Sequence, residues 1–307
     1  MPFFDQSYIE DLLSRAERGL LPKLARPAFR LCTQPGWKTL RDEIDRFFAR
    51  LDDSPQTRLR RKRNDLENIS QTVNEMKVGM HLLAEGYAIE YEKPIGGLTP
   101  DWCVTKPEGG SFVVEVLSKR DSDEKNLEQE FLSDLRDLCK NMDVGVVLAF
   151  RLFMKSTPIE WSDQLVNEIA KELSVWLKTR PLPRALIEIQ GVEVELVRYS
   201  EKLKHVELLP FTGAFWVNSF PLGQRISEKA VKYEALCLKY SFPFVTACCT
   251  SFSTAIEEDE FAEICPGLFS SNHCLTSVWA FIEGKVRVFN NPAAAFALTE
   301  SNLIFQS

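Results

Sequence analysis

Apolar residues recur at helical spacing from Val73 to Glu85, with Met76, Met80, Leu82 and Leu83 close to one side and Gly86 where a helix would stop. The period then changes. Tyr87 to Tyr91 alternates as a short strand, Lys93 to Pro100 reads as a loop, and strands are expected over Asp101 to Lys106 and Ser111 to Leu117 around Pro107-Glu108-Gly109-Gly110. A hairpin folded about Glu108 and Gly109 sets Trp102 opposite Glu115, with Asp101 beside it at the open end. A bulge would shift this register by one residue.

Upstream, Asp5 to Leu20 has a helical pattern. Trp37 to Leu51 has another, with Leu40, Ile44, Phe47, Phe48 and Leu51 as its apolar face, and Asp52-Asp53-Ser54-Pro55 follows as a break. Downstream, Leu127, Phe131, Leu135 and Leu138 predict a helix over Asp121 to Met142. The nearly all-apolar run Val144 to Phe150 predicts a strand covered on both faces. A helix over about Ile159 to Lys178 and a strand pair, Ala185 to Ile189 and Val192 to Tyr199, come next. Ser227 is expected to cap a helix reaching Tyr240, followed by a buried strand from Pro243 to Cys249 and a last hairpin, Val278 to Ile282 with Lys285 to Phe289. The expected class is α/β, a central mixed sheet flanked by helices. Its expected parts are a helical segment over 1–65, a core over 66–150 and an α/β extension over 151–307. Whether the extension lengthens the central sheet or forms a second layer is open at this stage.

A chain of 307 residues with 45% hydrophobic content can bury a large core. Its eight cysteines lack CxxC spacing, as expected of reduced, buried thiols in a cytoplasmic protein. Cys265, His273 and Cys274 offer three zinc ligands without an evident fourth, so a loop with small buried thiols is expected there. The N-terminus has no signal-peptide pattern and no run approaches the ~20 apolar residues of a membrane span, so no membrane association is expected. A net charge of −7 argues against a general polyanion-coating protein, and any nucleic-acid contact must be local. The one dense basic run, Arg58, Arg60, Arg61, Lys62 and Arg63, leads into the helix that carries Glu75 and is the candidate for phosphate contact. The competing reading is a solvated helix face balanced by Asp65 and Glu67. No phosphate-binding Gly-x-x-x-x-Gly-Lys-Ser/Thr loop and no Gly-x-Ser-x-Gly elbow occurs.

Glu75, Asp101 and Glu115 would supply the hard oxygen ligands that suit Mg²⁺, which usually takes one or two carboxylates plus phosphate and water. These residues resemble the PD-(D/E)XK nuclease superfamily, whose restriction-endonuclease-like core places a Glu on the first helix, Pro-Asp at a strand start and (D/E)-x-K on the next strand. Glu75, Pro100-Asp101 and Glu115 match in type, order and spacing, and the core resemblance covers roughly residues 71–150. The lysine departs from the pattern. Leu117 stands in its place, and Lys119 shares the strand parity of Glu115 but starts about 13 Å along rather than about 7 Å. More narrowly, the chain resembles a set of uncharacterised bacterial proteins through Thr99-Pro100-Asp101, Val114-Glu115-Val116, Lys229-Ala230-Val231-Lys232-Tyr233 and Asn291-Pro292-Ala293-Ala294. In that set the lysine is often absent too.

The resemblance implies a nuclease dependent on Mg²⁺ or Mn²⁺ that hydrolyses phosphodiester bonds in DNA, and a homodimer is compatible with it. In this reading Asp101 and Glu115 bind metal, Glu75 holds metal or its waters, and Lys119 positions the attacking water or offsets transition-state charge. The alternative is a protein that kept the fold without catalysis and serves as a nucleic-acid-binding or protein-interaction scaffold.

Overall fold

The structure, a computed structural model, describes residues 2–18, 26–65, 69–119, 131, 134–139, 142–152, 163–209, 220–250, 258–282 and 284–298. The chain divides into two compact units, Met1–Asp121 together with Asn218–Ser307, and Ser122–Val217. This corrects the expected division at 65 and 150, because the second unit is inserted within the first. The first unit opens with α1 (Gln6–Glu17), α2 (Arg26–Thr33), α3 (Lys38–Phe48), α4 (Asp53–Arg63) and α5 (Ile69–Ala84), then β1 (Ala88–Tyr91), β2 (Trp102–Thr105) and β3 (Ser111–Lys119). The inserted unit holds β4 (Val146–Leu152), α6 (Asp163–Lys178), β5 (Leu186–Ile189), β6 (Val192–Tyr199) and β7 (Val206–Leu209). The first unit resumes with α7 (Phe220–Tyr240), β8 (Phe244–Thr250), α8 (Glu258–Ser271), β9 (Leu275–Ile282) and β10 (Lys285–Asn290).

The first unit's sheet runs β1-β2-β3-β8-β9-β10. Its β1, β2 and β3 pair antiparallel, β8 and β9 join parallel, and β10 closes antiparallel to β9. The expected mixed α/β sheet is therefore present. Strand parity sorts its residues into two apolar layers. Trp102, Val104, Val114, Val116, Val245 and Ala247 belong to one core with α5 and the N-terminal helices. Cys103, Val113, Leu117, Phe244 and Cys248 belong to the other, with α7 and α8. The helix α5 can approach the first layer closely because residue 79 is glycine. A Cβ there would stand 2.5 Å from the Trp102 ring and 2.6 Å from Phe47. The indole N–H of Trp102 also donates to the Glu75 carbonyl at 2.9 Å, fixing the turn that carries the Glu75 side chain.

Two sequence expectations change. The hairpin pairs Trp102 with Val114, not Glu115. Lys106 N–H donates to the Gly110 carbonyl and Gly109 N–H to the Lys106 carbonyl, with φ of 97° at Gly109. That is a three-residue loop whose left-handed glycine shifts the register by one. The strand beside β3 in the core sheet is β8, whereas the run Val144 to Phe150 supplies β4 of the inserted unit. Either run is apolar enough for a central strand, so composition alone could not assign the partner.

The inserted unit has its own sheet, β5-β6-β4-β7, and its own core, in which Leu148, Val194 and Leu196 pack with Ile169 and Leu173 of α6 and with Phe131 and Leu135. Of the helix expected over Asp121 to Met142, residues 131 and 134–139 are described and helical, and the remainder, with Leu127, lies outside the described residues apart from Met142. Helix α7 begins at Phe220, so Ser227 lies within it instead of capping it. Among the described residues, no helix is long and apolar enough to cross a membrane.

Candidate active site

The site lies where β3 outruns β2. Pairing between them ends at Trp102 and Val114. Past that point, side chains replace the missing strand on the exposed edge of β3. Asp101 Oδ2 accepts the Val116 N–H at 2.8 Å. The Gln71 amide, from α5, donates to the Val116 carbonyl at 2.8 Å and accepts the Ser118 N–H at 3.1 Å. Buried backbone groups must be paired, and here the pairing holds Asp101 and the start of α5 against β3.

Three carboxylates gather around this edge. Glu75 is 2% exposed and accepts from Lys62 Nζ at 2.9 Å and from the Tyr91 hydroxyl at 2.6 Å, with Gln71 Nε2 at 3.3 Å from its other oxygen. Glu115 is also 2% exposed and accepts from Lys229 Nζ at 2.5 Å and from the Tyr233 hydroxyl. The two outer acids thus have matching escorts, one lysine and one tyrosine each. Carrying the β2–β3 register one step past Trp102 sets Asp101 across from Glu115 on the α7 side of the sheet. Burial, together with the negative charges of Glu75 and Glu115, pushes the Asp101 carboxyl well above its ordinary pKa, and the Val116 N–H only partly offsets them.

The escorts are electrostatically locked. Burial disfavours the Lys62 charge, yet Glu75 and Glu92 hold its pKa above the ordinary lysine value. Burial and the adjacent carboxylates push the phenols of Tyr91 and Tyr233 up, Tyr91 beside Glu75 and Tyr233 beside Glu115, so both remain hydrogen-bond donors at neutral pH.

Two sets of residues do not fall where the sequence reading set them. Lys119 does face the α7 and α8 side, but its ammonium is bonded to Glu260 Oε2 of α8 at 2.6 Å. Lys229 and Lys62 are the lysines bonded to the site carboxylates. The basic run is largely spent inside the protein. Arg58 donates to the Tyr91 and Glu92 carbonyls, Arg60 lies over the Phe48 ring, and Lys62 joins Glu75 to Glu92. Arg63 is 8% exposed, donates to Asp5 Oδ2 at 2.8 Å and stacks over Tyr8. Arg61 is exposed. The run is polar because α4 must tie the N-terminal helices to the sheet, and neither a phosphate-facing row nor a solvated face describes it. Glu67 lies outside the described residues.

The sequence reading missed Gln71, Tyr91, Lys62 as an escort, and the pair Lys229 and Tyr233. The last two were detectable, since the i, i+4 spacing in Lys229-Ala230-Val231-Lys232-Tyr233 puts both on one helix face. The others depend on distant chain segments meeting. At the Cys265, His273 and Cys274 site, both cysteines are free and buried, and burial pushes the Cys265 thiol up to about 12.

As a cation site, the cluster has the right chemistry and an incomplete cage. Its oxygens are hard, and burial together with the charges of Glu75 and Glu115 raises the Asp101 pKa, an electrostatic cost that a divalent cation would relieve. Among the described residues, no group of three or more His, Cys, Asp or Glu side chains is arranged to hold a metal ion. A cation here would therefore be held by two carboxylates and completed by water and substrate, the usual habit of Mg²⁺. Compared with models of protein families, with curated proteins and with solved structures, the chain finds no match.

Proposed function

We propose that this protein is a Mg²⁺- or Mn²⁺-dependent nuclease acting on DNA, with its reaction centre at the β3 edge. The observation that carries the reading is Asp101. It is set beside two further acids and held by a backbone N–H, and burial together with their charge pushes its pKa well above the ordinary value. Further support comes from element order within the first unit, where, once the inserted unit between β3 and α7 is set aside, α5, three antiparallel strands, α7 and a parallel strand follow the order expected of a restriction-endonuclease-like core. Asp101 and Glu115 would hold the cation, and Glu75 would hold its waters. Such a cation supplies Lewis-acid stabilisation of the phosphoryl oxygens and lowers the pKa of a bound water.

The chain's own residues have distinct tasks in this scheme. Lys229, rather than Lys119, is the ammonium within reach of a water and phosphate beside Glu115, where it would orient the water and offset developing charge. Tyr233 and Tyr91 donate to Glu115 and Glu75 and fix the setting of these two outer carboxylates. Lys62 balances Glu75 and Glu92 from the α4 side. Plasmid nicking tests the reading. Purified protein should convert supercoiled plasmid to open circle in Mg²⁺ or Mn²⁺ and stop with EDTA.

One observation favours a second reading, the non-catalytic scaffold. Lys119 is tied to Glu260 and most of the basic run is engaged internally, which leaves little of that run for a DNA backbone. Metal binding with no cleavage of any DNA or RNA tested would select that reading.

A further inference from the structure

Beside Glu115 lies a hydroxyl with no hydrogen-bond partner among the described residues. Thr246 pairs with Glu115 in the parallel ladder of β3 and β8. It sits between Phe244 and Cys248, which belong to the α7-side core, just as Glu115 sits between Val113 and Leu117 of that core. The two side chains therefore stand next to one another on one face, a strand spacing of about 4.8 Å apart. Thr246 is 0% exposed, and its Oγ1 has no hydrogen-bond partner among the described residues. Both Glu115 oxygens are already taken, one by Lys229 and one by Tyr233.

An unsatisfied buried hydroxyl is costly, and a valine of nearly the same shape would avoid the cost. The arrangement makes sense if Glu115 has two settings. In the one described, Lys229 and Tyr233 hold it. In the other its carboxylate turns to a cation and Lys229 withdraws, which leaves a lone pair to be satisfied. We infer that Thr246 is a positioning residue for the cation-bound setting, its hydroxyl donating to Glu115 once the carboxylate leaves Lys229. This rests on the cation site proposed above and adds a residue that acts through Glu115 without touching the ion itself.

The inference has an unusual signature, because the same substitution should move two quantities in opposite directions. In metal-free full-length protein, Thr246→Val should raise the melting temperature by about 2–6 °C, since it removes an unpaired buried group. Mn²⁺ affinity by calorimetric titration should fall about 10-fold, the worth of one charge-assisted hydrogen bond. Thr246→Ser keeps the hydroxyl and should restore Mn²⁺ affinity to within about twofold of wild type. Wild-type Mn²⁺ affinity in Thr246→Val would overturn the inference and leave the cation site standing. So would equal loss in Thr246→Val and Thr246→Ser, or a lower metal-free melting temperature in Thr246→Val. If wild type binds no Mn²⁺ at all, the cation site and this inference fall together.

Discussion

Replacing Lys229 by Met removes an ammonium while keeping most of its aliphatic volume, which isolates the role assigned to that charge. Its partner Glu115 is 2% exposed, and the 2.5 Å contact is the ion pair that compensates the Glu115 carboxylate. Removing one member of a buried pair costs about 3–5 kcal/mol, because the other is left as an uncompensated charge. Two features lower that figure here. The Lys229 side chain is 32% exposed, so water reaches the gap, and the Tyr233 hydroxyl still donates. A loss of about 2–3 kcal/mol is expected, or roughly 4–10 °C in melting temperature for a unit of this size.

The cost comes from a stranded charge. The double variant Lys229→Met/Glu115→Gln should recover most of it. Mn²⁺ affinity should rise in Lys229→Met, since the cation no longer competes with an ammonium for the Glu115 oxygen, while plasmid nicking slows by on the order of 10²-fold. Lys119→Met is the control. It strands Glu260 and should cost stability as well, yet leave nicking by the surviving folded protein unchanged. Urea unfolding of the single and double variants, Mn²⁺ titration and a nicking time course are sufficient. The role assigned to Lys229 is refuted if Lys229→Met unfolds within about 0.5 kcal/mol of wild type, or if it nicks at the wild-type rate while Lys119→Met does not.

Two further predictions follow from the titrating groups. Asp101 has a folded pKa above the ordinary carboxylate value of 3.8, so between the two the folded chain carries the extra proton and stability falls as pH rises through that window. Asp101→Asn keeps an acceptor for the Val116 N–H and removes the charge. It should therefore be more stable than wild type at pH 7–8, lose that advantage below about pH 4, and bind no Mn²⁺, as melting curves across pH and a titration would show. At Asp5, burial opposes the charge, but bonds from Ser7, Arg63 and the Tyr8 N–H hold its pKa down at about 2. Its stabilising contribution is present above 3.8 and lost as pH falls through about 2, so Arg63→Met should cost about 3 kcal/mol at pH 7 and progressively less in acid. A pH-independent loss would show that Arg63 acts through the Phe3 carbonyl and the Tyr8 ring and not through the Asp5 charge.

Much of the site was legible because its frame is local in sequence. The helical period before Gly86, the alternation after it and the turn at Pro107 to Gly110 bring Glu75, Asp101 and Glu115 into one stretch of 41 residues. The register error of one residue came from the turn, where Gly109 and Gly110 both take positive φ and close a three-residue loop instead of the two-residue one expected. The fourth core strand was not legible. Val144 to Phe150 and Pro243 to Cys249 are similar apolar runs, and the nearer in sequence belongs to a separate core. Charge was the most misleading signal. Arg63 reads as surface until Asp5, Tyr8 and the Phe3 carbonyl, some 60 positions away, close around it. Lys119 likewise reads as a catalytic candidate until Glu260 arrives from α8. The pairing of a long cationic side chain depends on which distant segment meets it, and hydrophobic periodicity carries no record of that.

The most direct measurement is the anomalous signal of Mn²⁺ in crystals of the wild-type protein grown with millimolar MnCl₂. One strong peak is expected, bonded to the carboxylates of Asp101 and Glu115 at oxygen distances of about 2.0–2.3 Å, with the Lys229 ammonium moved off Glu115. A map with no peak there, with Lys229 still on Glu115 and Asp101 still on the Val116 N–H alone, would contradict it.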